Sequence, residues 1–205
     1  NTLWYASLLN VDSDGSPHSY GPNGKGLDYL ANAGHPGNWF GIVTDSHGNP
    51  VIQGPNDPAP GYYVSATSLC DPTKGVNDPN RYANSEAIGY LACAAQIFEH
   101  GVKLGDVATV WYNGKSCHCI VADTGNRTSL GEGSVYLARQ LGLCDNPKGS
   151  GNAPVPTNVR YVIYLGTADL LPGGKVGRLL TQDQIDATAR AAMQNRNVDP
   201  AVYFS

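Results

Sequence analysis

The chain has 205 residues, of which 41% are hydrophobic and 15% are charged, and its formal net charge is −4. This length suits one domain with a buried core, and so low a charged fraction excludes a disordered chain and a coiled coil. The acidic balance excludes the basic surface that nucleic-acid binding requires, and no apolar run reaches the roughly 18 residues of a membrane-spanning helix. We expect one domain over residues 1–205, monomeric, with no nucleic-acid or membrane partner.

The chain begins at Asn1, without a methionine. We expect that a leader segment has been removed and that the mature protein is secreted and extracellular. The cysteine count is odd, which leaves at least one thiol unpaired within the chain. One or two disulfide bonds are predicted among the five cysteines, which are Cys70, Cys93, Cys117, Cys119 and Cys144.

Turn-forming residues dominate the first 80 positions. The chain contains 25 glycines and 14 prolines. Pairs such as Asp14-Gly15, Asn23-Gly24 and Asn49-Pro50 mark turns. This composition predicts short strands and long ordered loops.

A β-hairpin is the clearest predicted element. Residues 106–112 (DVATVWY) are β-branched and aromatic, which favours a strand, and residues 117–123 (CHCIVAD) form the return strand. Asn113-Gly114 between them is the strongest short hairpin signal.

The return strand carries His118 between two cysteines. We place the side chains of Cys117 and Cys119 on opposite faces of this strand, which argues against a bond between them. The same placement argues against a zinc site or a thiol mechanism that uses His118.

Residues 85–99 allow two interpretations: a helix capped by Ser85, or a buried strand over 88–91. Further along, the apolar spacing predicts a short helix over 134–141 that ends at Gly142. A strand follows over 158–165. Thr181 is a typical N-cap for a final helix over 182–193.

Two carboxyl groups lie where a strand ends and a helix begins. Asp123 ends the return strand, a loop follows over 124–131, and Glu132 precedes the helix. Most glycosidases use two such groups, one to protonate the leaving oxygen and one to activate water or to attack carbon. By position alone, however, such an aspartate is also typical of a turn, and such a glutamate also complements the helix macrodipole.

The residues around this pair resemble the signature of family 75 chitosanases. The similar segments are Gly105-Asp106, 121–125 (VADTG), 131–138 (GEGSVYLA), Leu141-Gly142, 11–15 (VDSDG) and 62–69 (YYVSATSL). They extend from about residue 11 to residue 165. The chain departs from the family at Gly89, between Ile88 and Tyr90, where the family commonly has proline.

The resemblance implies a mainly β fold, namely a six-stranded double-psi β-barrel with a few short helices and long ordered loops. It also implies an endo-acting chitosanase that inverts the anomeric carbon, with Asp123 and Glu132 as the catalytic pair. We expect Glu132 to be the general acid and Asp123 the general base. The opposite assignment stays open, because a helix start near Glu132 favours its ionised form.

Chitosan is a cationic polymer of β-1,4-linked glucosamine, so its cleft should supply carboxylates and aromatic faces. The candidate substrate-binding residues are Asp12, Asp14, Tyr20, Tyr82 and Glu86. The segment 12–15 is equally typical of a polar turn, and a calcium loop is not expected, because its later ligand positions hold Pro17 and His18. We expect no metal and no other cofactor.

Two other functions stay open. One is a non-catalytic glycan-binding or wall-loosening module on the same barrel, and the other is a hydrolase of another β-1,4 glycan. Residues 126–128 (NRT) match the glycosylation acceptor pattern. Because they lie between the two candidate catalytic residues, we expect this acceptor to be unused or to point away from the cleft.

Overall fold

A computed structural model describes residues 1–125, 130–149, 157–170 and 179–199. Within them, seven strands form one mixed sheet that curls into a half-barrel. Strands β3 (Gly34–His35) and β4 (Asn38–Trp39) form a separate small hairpin. The strands of the large sheet are β1 (Thr2–Ser7), β2 (Asn10–Asp12), β5 (Tyr90–Cys93), β6 (Val107–Tyr112), β7 (Lys115–Thr124), β8 (Glu132–Ser134) and β9 (Val159–Tyr164).

The order of strands across the sheet is β1-β9-β6-β7-β5-β8-β2. Strands β1, β9, β6 and β7 are antiparallel neighbours, whereas β5 runs parallel to β7 and β2 runs parallel to β8. The prediction of a mainly β fold with few short helices is therefore confirmed. The large sheet has seven strands where six were expected.

The predicted hairpin is confirmed as β6 and β7, which pair from Val107 opposite Ile120 to Tyr112 opposite Lys115. Asn113 and Gly114 have φ angles of 46° and 75°. Two consecutive positive φ angles are what a type I′ turn requires, and its twist matches that of the strands.

In the described part of the chain, three α-helices accompany the sheet: α1 (Ala95–Glu99), α2 (Val135–Leu141) and α3 (Gln182–Asn195). The predicted end of α2 at Gly142 and the predicted cap of α3 at Thr181 are confirmed, because Gly142 has the left-handed conformation and Thr181 accepts a backbone N–H bond. Ser134, expected as the first residue of α2, is instead its N-cap and accepts from Leu137 N. Among the helices of the described residues, none has both the length and the apolar character needed to cross a bilayer.

The ambiguous stretch 85–99 forms strand β5 followed by α1. Ser85 does not cap a helix: its Oγ accepts a bond of 2.9 Å from the backbone N–H of Val135 and donates to the carbonyl of Asp12. Gly89 fits tightly, because an added Cβ would lie 2.6 Å from the carbonyl oxygen of His118. Its N–H donates to Gln182 Oε1 at 2.7 Å, a bond that a proline could not make.

Strand β7 divides the core, because successive side chains of a strand point to opposite faces. Cys117, Cys119 and Val121 pack in one cluster with side chains of α2. Ile120 and Ala122 pack in a second cluster, which includes Ile185 of α3. The two helices therefore cover opposite faces of β7.

The prediction that Cys117 and Cys119 lie on opposite faces is wrong. Positions two apart in a strand share a face, and both sulfur atoms lie beside Gly89, at 3.0 and 3.1 Å from where its Cβ would be. The predicted disulfide bonds are also absent: all five cysteines, each within the described part of the chain, are free thiols.

Hydrogen bonds order the long loops between β2 and β5. Gln53 donates from Nε2 to the carbonyl of Pro17 at 2.7 Å and accepts from Ala59 N at 3.0 Å. Further along, Leu69 N donates to the carbonyl of Ala122 at 2.8 Å. This last bond fixes Ser68 beside the end of β7.

Ser134 connects α2 to the sheet, because its Oγ accepts from Leu137 N and from the buried Tyr90 N, both at 3.1 Å. We expect Ser134→Ala to lower the free energy of unfolding by about 2–4 kcal/mol, the sum of a lost cap and an unsatisfied buried donor. Thr181→Ala removes only the exposed cap of α3 and should cost about 1 kcal/mol. Chemical denaturation of both variants measures the difference, and equal losses would contradict this role of Ser134.

Candidate active site

A cavity of about 610 Å³ lies beside β2, the end of β7 and the start of β8. It is strongly acidic: no lysine, arginine or histidine lines it within the described residues. Five acidic residues line it, namely Asp12, Asp14, Asp28, Asp123 and Glu132.

The sheet topology brings Asp123 and Glu132 to this cavity. Strand β5 lies between β7 and β8: its residue Ala92 pairs with Asp123, and Leu91 pairs with Gly133. The two carboxyl groups, nine positions apart in sequence, therefore come from strands on either side of β5. A fixed backbone of this kind is what a catalytic pair requires.

Three donors hold the carboxylate of Asp123. Its Oδ1 accepts from Ser68 Oγ at 2.6 Å, from Ser68 N at 3.0 Å and from Thr124 N at 2.7 Å. Burial raises the pKa of Asp123, and these hydrogen bonds act in the opposite direction because they favour the ionised form.

Glu132 is the first residue of β8, and its side chain lies over Gly125. A Cβ on Gly125 would come within 2.4 Å of Glu132 Oε2 and 3.0 Å of the Ala92 carbonyl oxygen. Helix α2 begins at Val135, directly after β8, so Glu132 lies before the first helical turn where the macrodipole acts. The helix macrodipole therefore gives only weak support for the opposite assignment, in which Glu132 is the base and Asp123 the acid.

Asp12 and Asp14 lie close to Asp123. One carboxylate oxygen from each of the three lies within 4.8 Å of the other two. Burial first, and then the charges of neighbouring carboxylates, raise the pKa of both Asp12 and Asp14 well above the ordinary value of an aspartate. The three groups therefore cannot all ionise readily near neutral pH.

Local contacts fix Asp12 and Asp14. Asp12 Oδ1 accepts from Asp14 N at 2.8 Å, and Asp14 Oδ1 accepts from Tyr20 Oη at 2.6 Å. Gly41 leaves space for Asp14, because an added Cβ would lie 2.8 Å from Asp14 Oδ2. The turn expected over 12–15 thus exists, and it also presents two carboxylates to the cavity.

The three aspartates supply the oxygen ligands that Mg²⁺, Ca²⁺ and Mn²⁺ prefer. They are the group within the described residues whose geometry could hold a metal ion. The expectation of a metal-free protein stays a prediction.

The candidate substrate-binding residues divide into two groups. Asp12, Asp14 and Tyr20 line the cavity, whereas Tyr82 and Glu86 do not. Tyr20 is only 2% exposed as a residue, and Tyr82 is 8% exposed. Neither offers a face for stacking, so Tyr20 supports Asp14 and Tyr82 is a core residue.

The side chains of Tyr82 and Glu86 form contacts outside the cavity. Tyr82 donates from its hydroxyl to the carbonyl of Val76 at 2.8 Å. Glu86 Oε2 contacts His18 Nδ1 at 2.8 Å and accepts from Ser16 Oγ. Contact of Glu86 with a ligand in the cavity is therefore not expected.

Cys93, Cys119 and His118 lie in environments that do not favour reactivity. Burial raises the pKa of Cys119 well above its usual value and that of Cys93 to about 12, so both thiols stay protonated. Burial lowers the pKa of His118, whose Nδ1 lies 2.9 Å from Thr109 Oγ1. The expectation that no thiol mechanism operates stays a prediction.

Sequence reasoning missed three residues of the site. Asp28 and Phe40 line the cavity, and Ser68 holds Asp123. Ser68 lies in the segment 62–69 that resembles the chitosanases, which was the available signal. Nothing in the local pattern distinguishes Asp28 or Phe40 from residues of an ordinary loop. The glycosylation pattern at 126–128 lies outside the described residues.

No protein-family model matches this chain, and no curated protein matches it.

The repulsion within the carboxyl cluster leads to a test of stability. A pKa raised in the folded state means that the folded protein holds its proton more tightly than the unfolded chain, so stability falls as pH rises above about 4. We expect Asp14→Asn to raise the unfolding temperature at pH 7, by about 2–4 °C for each kcal/mol relieved. Near pH 3 the difference should disappear.

Asp45→Asn is the matched control, and its expected effect on stability at pH 7 has the opposite sign. Hydrogen bonds from Asn49 N and His47 N lower the pKa of Asp45, so its replacement should destabilise the protein at pH 7 and less so at pH 3. Thermal unfolding at both pH values measures each variant. An Asp14→Asn variant that is less stable than the parent at pH 7 would contradict the repulsion inferred for the cluster.

Proposed function

We propose that this protein is a secreted, endo-acting chitosanase that hydrolyses β-1,4 linkages between glucosamine units with inversion. The observation that carries the proposal is the acidic cavity, in which Asp123 and Glu132 face one space from strands on either side of β5. The resemblance of the segments around both residues to family 75 chitosanases supports the same function.

The negative charge of the cavity supports chitosan as the polymer. Five acidic residues line the cavity, and the described lining residues include no basic side chain. Buried carboxylates that repel one another gain stability when a cation enters, and hydrogen bonds between ammonium and carboxylate are strong. An ammonium-bearing sugar fits this environment better than a neutral sugar, and an anionic one would be repelled.

The hydrogen bonds of Asp123 support its role as general base. A base must be ionised to take a proton from water, and three donors to Oδ1 favour that form. Asp12 and Asp14 oppose each other's ionisation, so Asp123 is the member of the cluster that holds a negative charge most easily. Glu132, on the other side of β5, then donates the proton to the leaving oxygen.

We also propose that the curled sheet belongs to a double-psi β-barrel. The parallel pairs β5 with β7 and β2 with β8 support this assignment, because each joins strands that do not follow one another in sequence. Such pairs require crossing connections, and β7 and β8, which flank β5, bring Asp123 and Glu132 to the cavity.

Asp123→Asn and Glu132→Gln should each reduce the release of reducing ends from soluble chitosan by about 10²–10⁴-fold, the usual contribution of a general acid or base. Glu86→Gln is the matched control, because that carboxyl group pairs with His18 outside the cavity. It should retain the activity of the parent. Unfolding temperatures of all variants separate loss of catalysis from loss of structure.

A panel of polymers separates the proposal from its alternatives. The parent protein should cleave chitosan, and it should leave chitin and carboxymethylcellulose largely intact. Binding to chitosan without new reducing ends would instead indicate a glycan-binding module, and cleavage of carboxymethylcellulose would indicate another β-1,4 glycan. Activity of Asp123→Asn or Glu132→Gln within about tenfold of the parent would remove that residue from the mechanism.

A further inference from the structure

Phe40 is an exposed aromatic residue that lines the cavity, and its backbone is anchored by its neighbours. The residue lines the cavity and is 67% exposed. Its N–H donates to the carbonyl of Ala33 at 3.0 Å, and the preceding Trp39 packs with Tyr20 and Ile42. The backbone that carries the ring is therefore anchored, and the exposed ring is accessible to a flat apolar surface.

Asp28 lines the same cavity from the same loop, and it is 6% exposed. Its Oδ1 accepts from Tyr29 N at 2.7 Å, and the side-chain amide of Asn32 lies 3.0 Å from both carboxylate oxygens. These bonds fix the orientation of the carboxylate. A carboxylate can accept about four hydrogen bonds, so capacity remains for a donor from a ligand.

The two residues adjoin the proposed catalytic centre. The residue after Phe40 is Gly41, which lies against the carboxylate of Asp14. Ala31 and Asn32, which lie between Asp28 and Phe40 in sequence, also line the cavity. The segment 28–41, which contains β3 and β4, therefore contributes four residues to the wall, among them a carboxylate and an aromatic ring.

We propose that this part of the wall is a subsite for one glucosamine ring next to the cleaved linkage. Phe40 packs against the apolar face of the sugar, and Asp28 binds its ammonium group. An N-acetyl group is neutral, so it cannot form the charge-assisted bond, and Asp28 thereby selects the deacetylated sugar. The inference rests on the proposed function for the identity of the polymer, and it assigns the selection of that polymer to a residue distinct from the catalytic pair.

Binding to a catalytically impaired protein tests the subsite without turnover. In the Glu132→Gln background, isothermal titration calorimetry compares a glucosamine hexamer with an N-acetylglucosamine hexamer. Phe40→Ala should weaken binding of the glucosamine hexamer about tenfold, from the lost contact with the ring. Asp28→Asn should weaken binding of the glucosamine hexamer about tenfold or more. It should leave binding of the acetylated hexamer within about twofold of the background protein.

Two matched controls lie outside the cavity. Asp57 caps a turn by accepting from Gly54 N at 2.7 Å, and Trp4 is an aromatic residue that is 55% exposed on β1. Asp57→Asn and Trp4→Ala should bind both hexamers within about twofold of the background protein. Asp28→Ser keeps an acceptor for the Tyr29 N–H, and it replaces Asp28→Asn if that variant does not fold.

The outcomes separate this subsite from the proposed reaction. If Phe40→Ala binds the glucosamine hexamer as tightly as the background protein does, the ring is not part of a subsite. If removal of the Asp28 charge weakens both hexamers equally, Asp28 only shapes the loop and the proposed selection is wrong. Failure of the parent to cleave chitosan would overturn the proposed function alone, because the binding measurements do not depend on turnover.

Discussion

The candidate active site buries several carboxyl groups that repel one another at one end of the sheet. Isolated buried charges are very costly, so each group needs donors, shared protons or a cation to offset the loss of water. Ser68 and Thr124 supply donors to Asp123, and Tyr20 supplies one to Asp14. The positions of Gly41 and Gly125 follow from the same constraint, because side chains there would collide with carboxylate oxygens.

This constraint also connects the fold to the proposed chemistry. Strand β5 lies between the strand that carries Asp123 and the strand that begins at Glu132, so the two carboxyl groups reach one cavity from different strands. A group that must be ionised and a group that must hold a proton need different environments. A cationic substrate would relieve the repulsion that the folded protein maintains in its absence. The repulsion within the cavity and the affinity for an ammonium group thus have the same origin.

Local elements were predictable because local chemistry determines them. Asn113-Gly114 allows a type I′ turn, and the end of α2 at Gly142 and the cap of α3 at Thr181 depend on residues within one helical turn. The pairing of strands that lie far apart in sequence was harder to predict. The parallel pairing of β2 with β8 joins segments more than a hundred residues apart, and nothing in the pattern around Tyr90–Cys93 decides between a strand and a helix.

The candidate site was predicted as far as the resemblance extended. It identified Asp12, Asp14, Asp123 and Glu132, which line the same cavity. It did not identify Tyr20 as a support for Asp14, because burial of an aromatic ring depends on tertiary packing. The cysteine predictions failed for different reasons: the assignment of faces ignored the two-residue period of a strand, and disulfide pairing depends on distances that sequence does not provide.

The anomeric form of the first product tests the central claim most directly. Two carboxyl groups that face one linkage with a water molecule between them must invert the anomeric carbon. Proton NMR during the first minutes of chitosan hydrolysis should therefore show the α-anomer before mutarotation produces the β-anomer. Initial accumulation of the β-anomer would mean that one carboxylate attacks carbon directly, and it would contradict the roles assigned to Asp123 and Glu132.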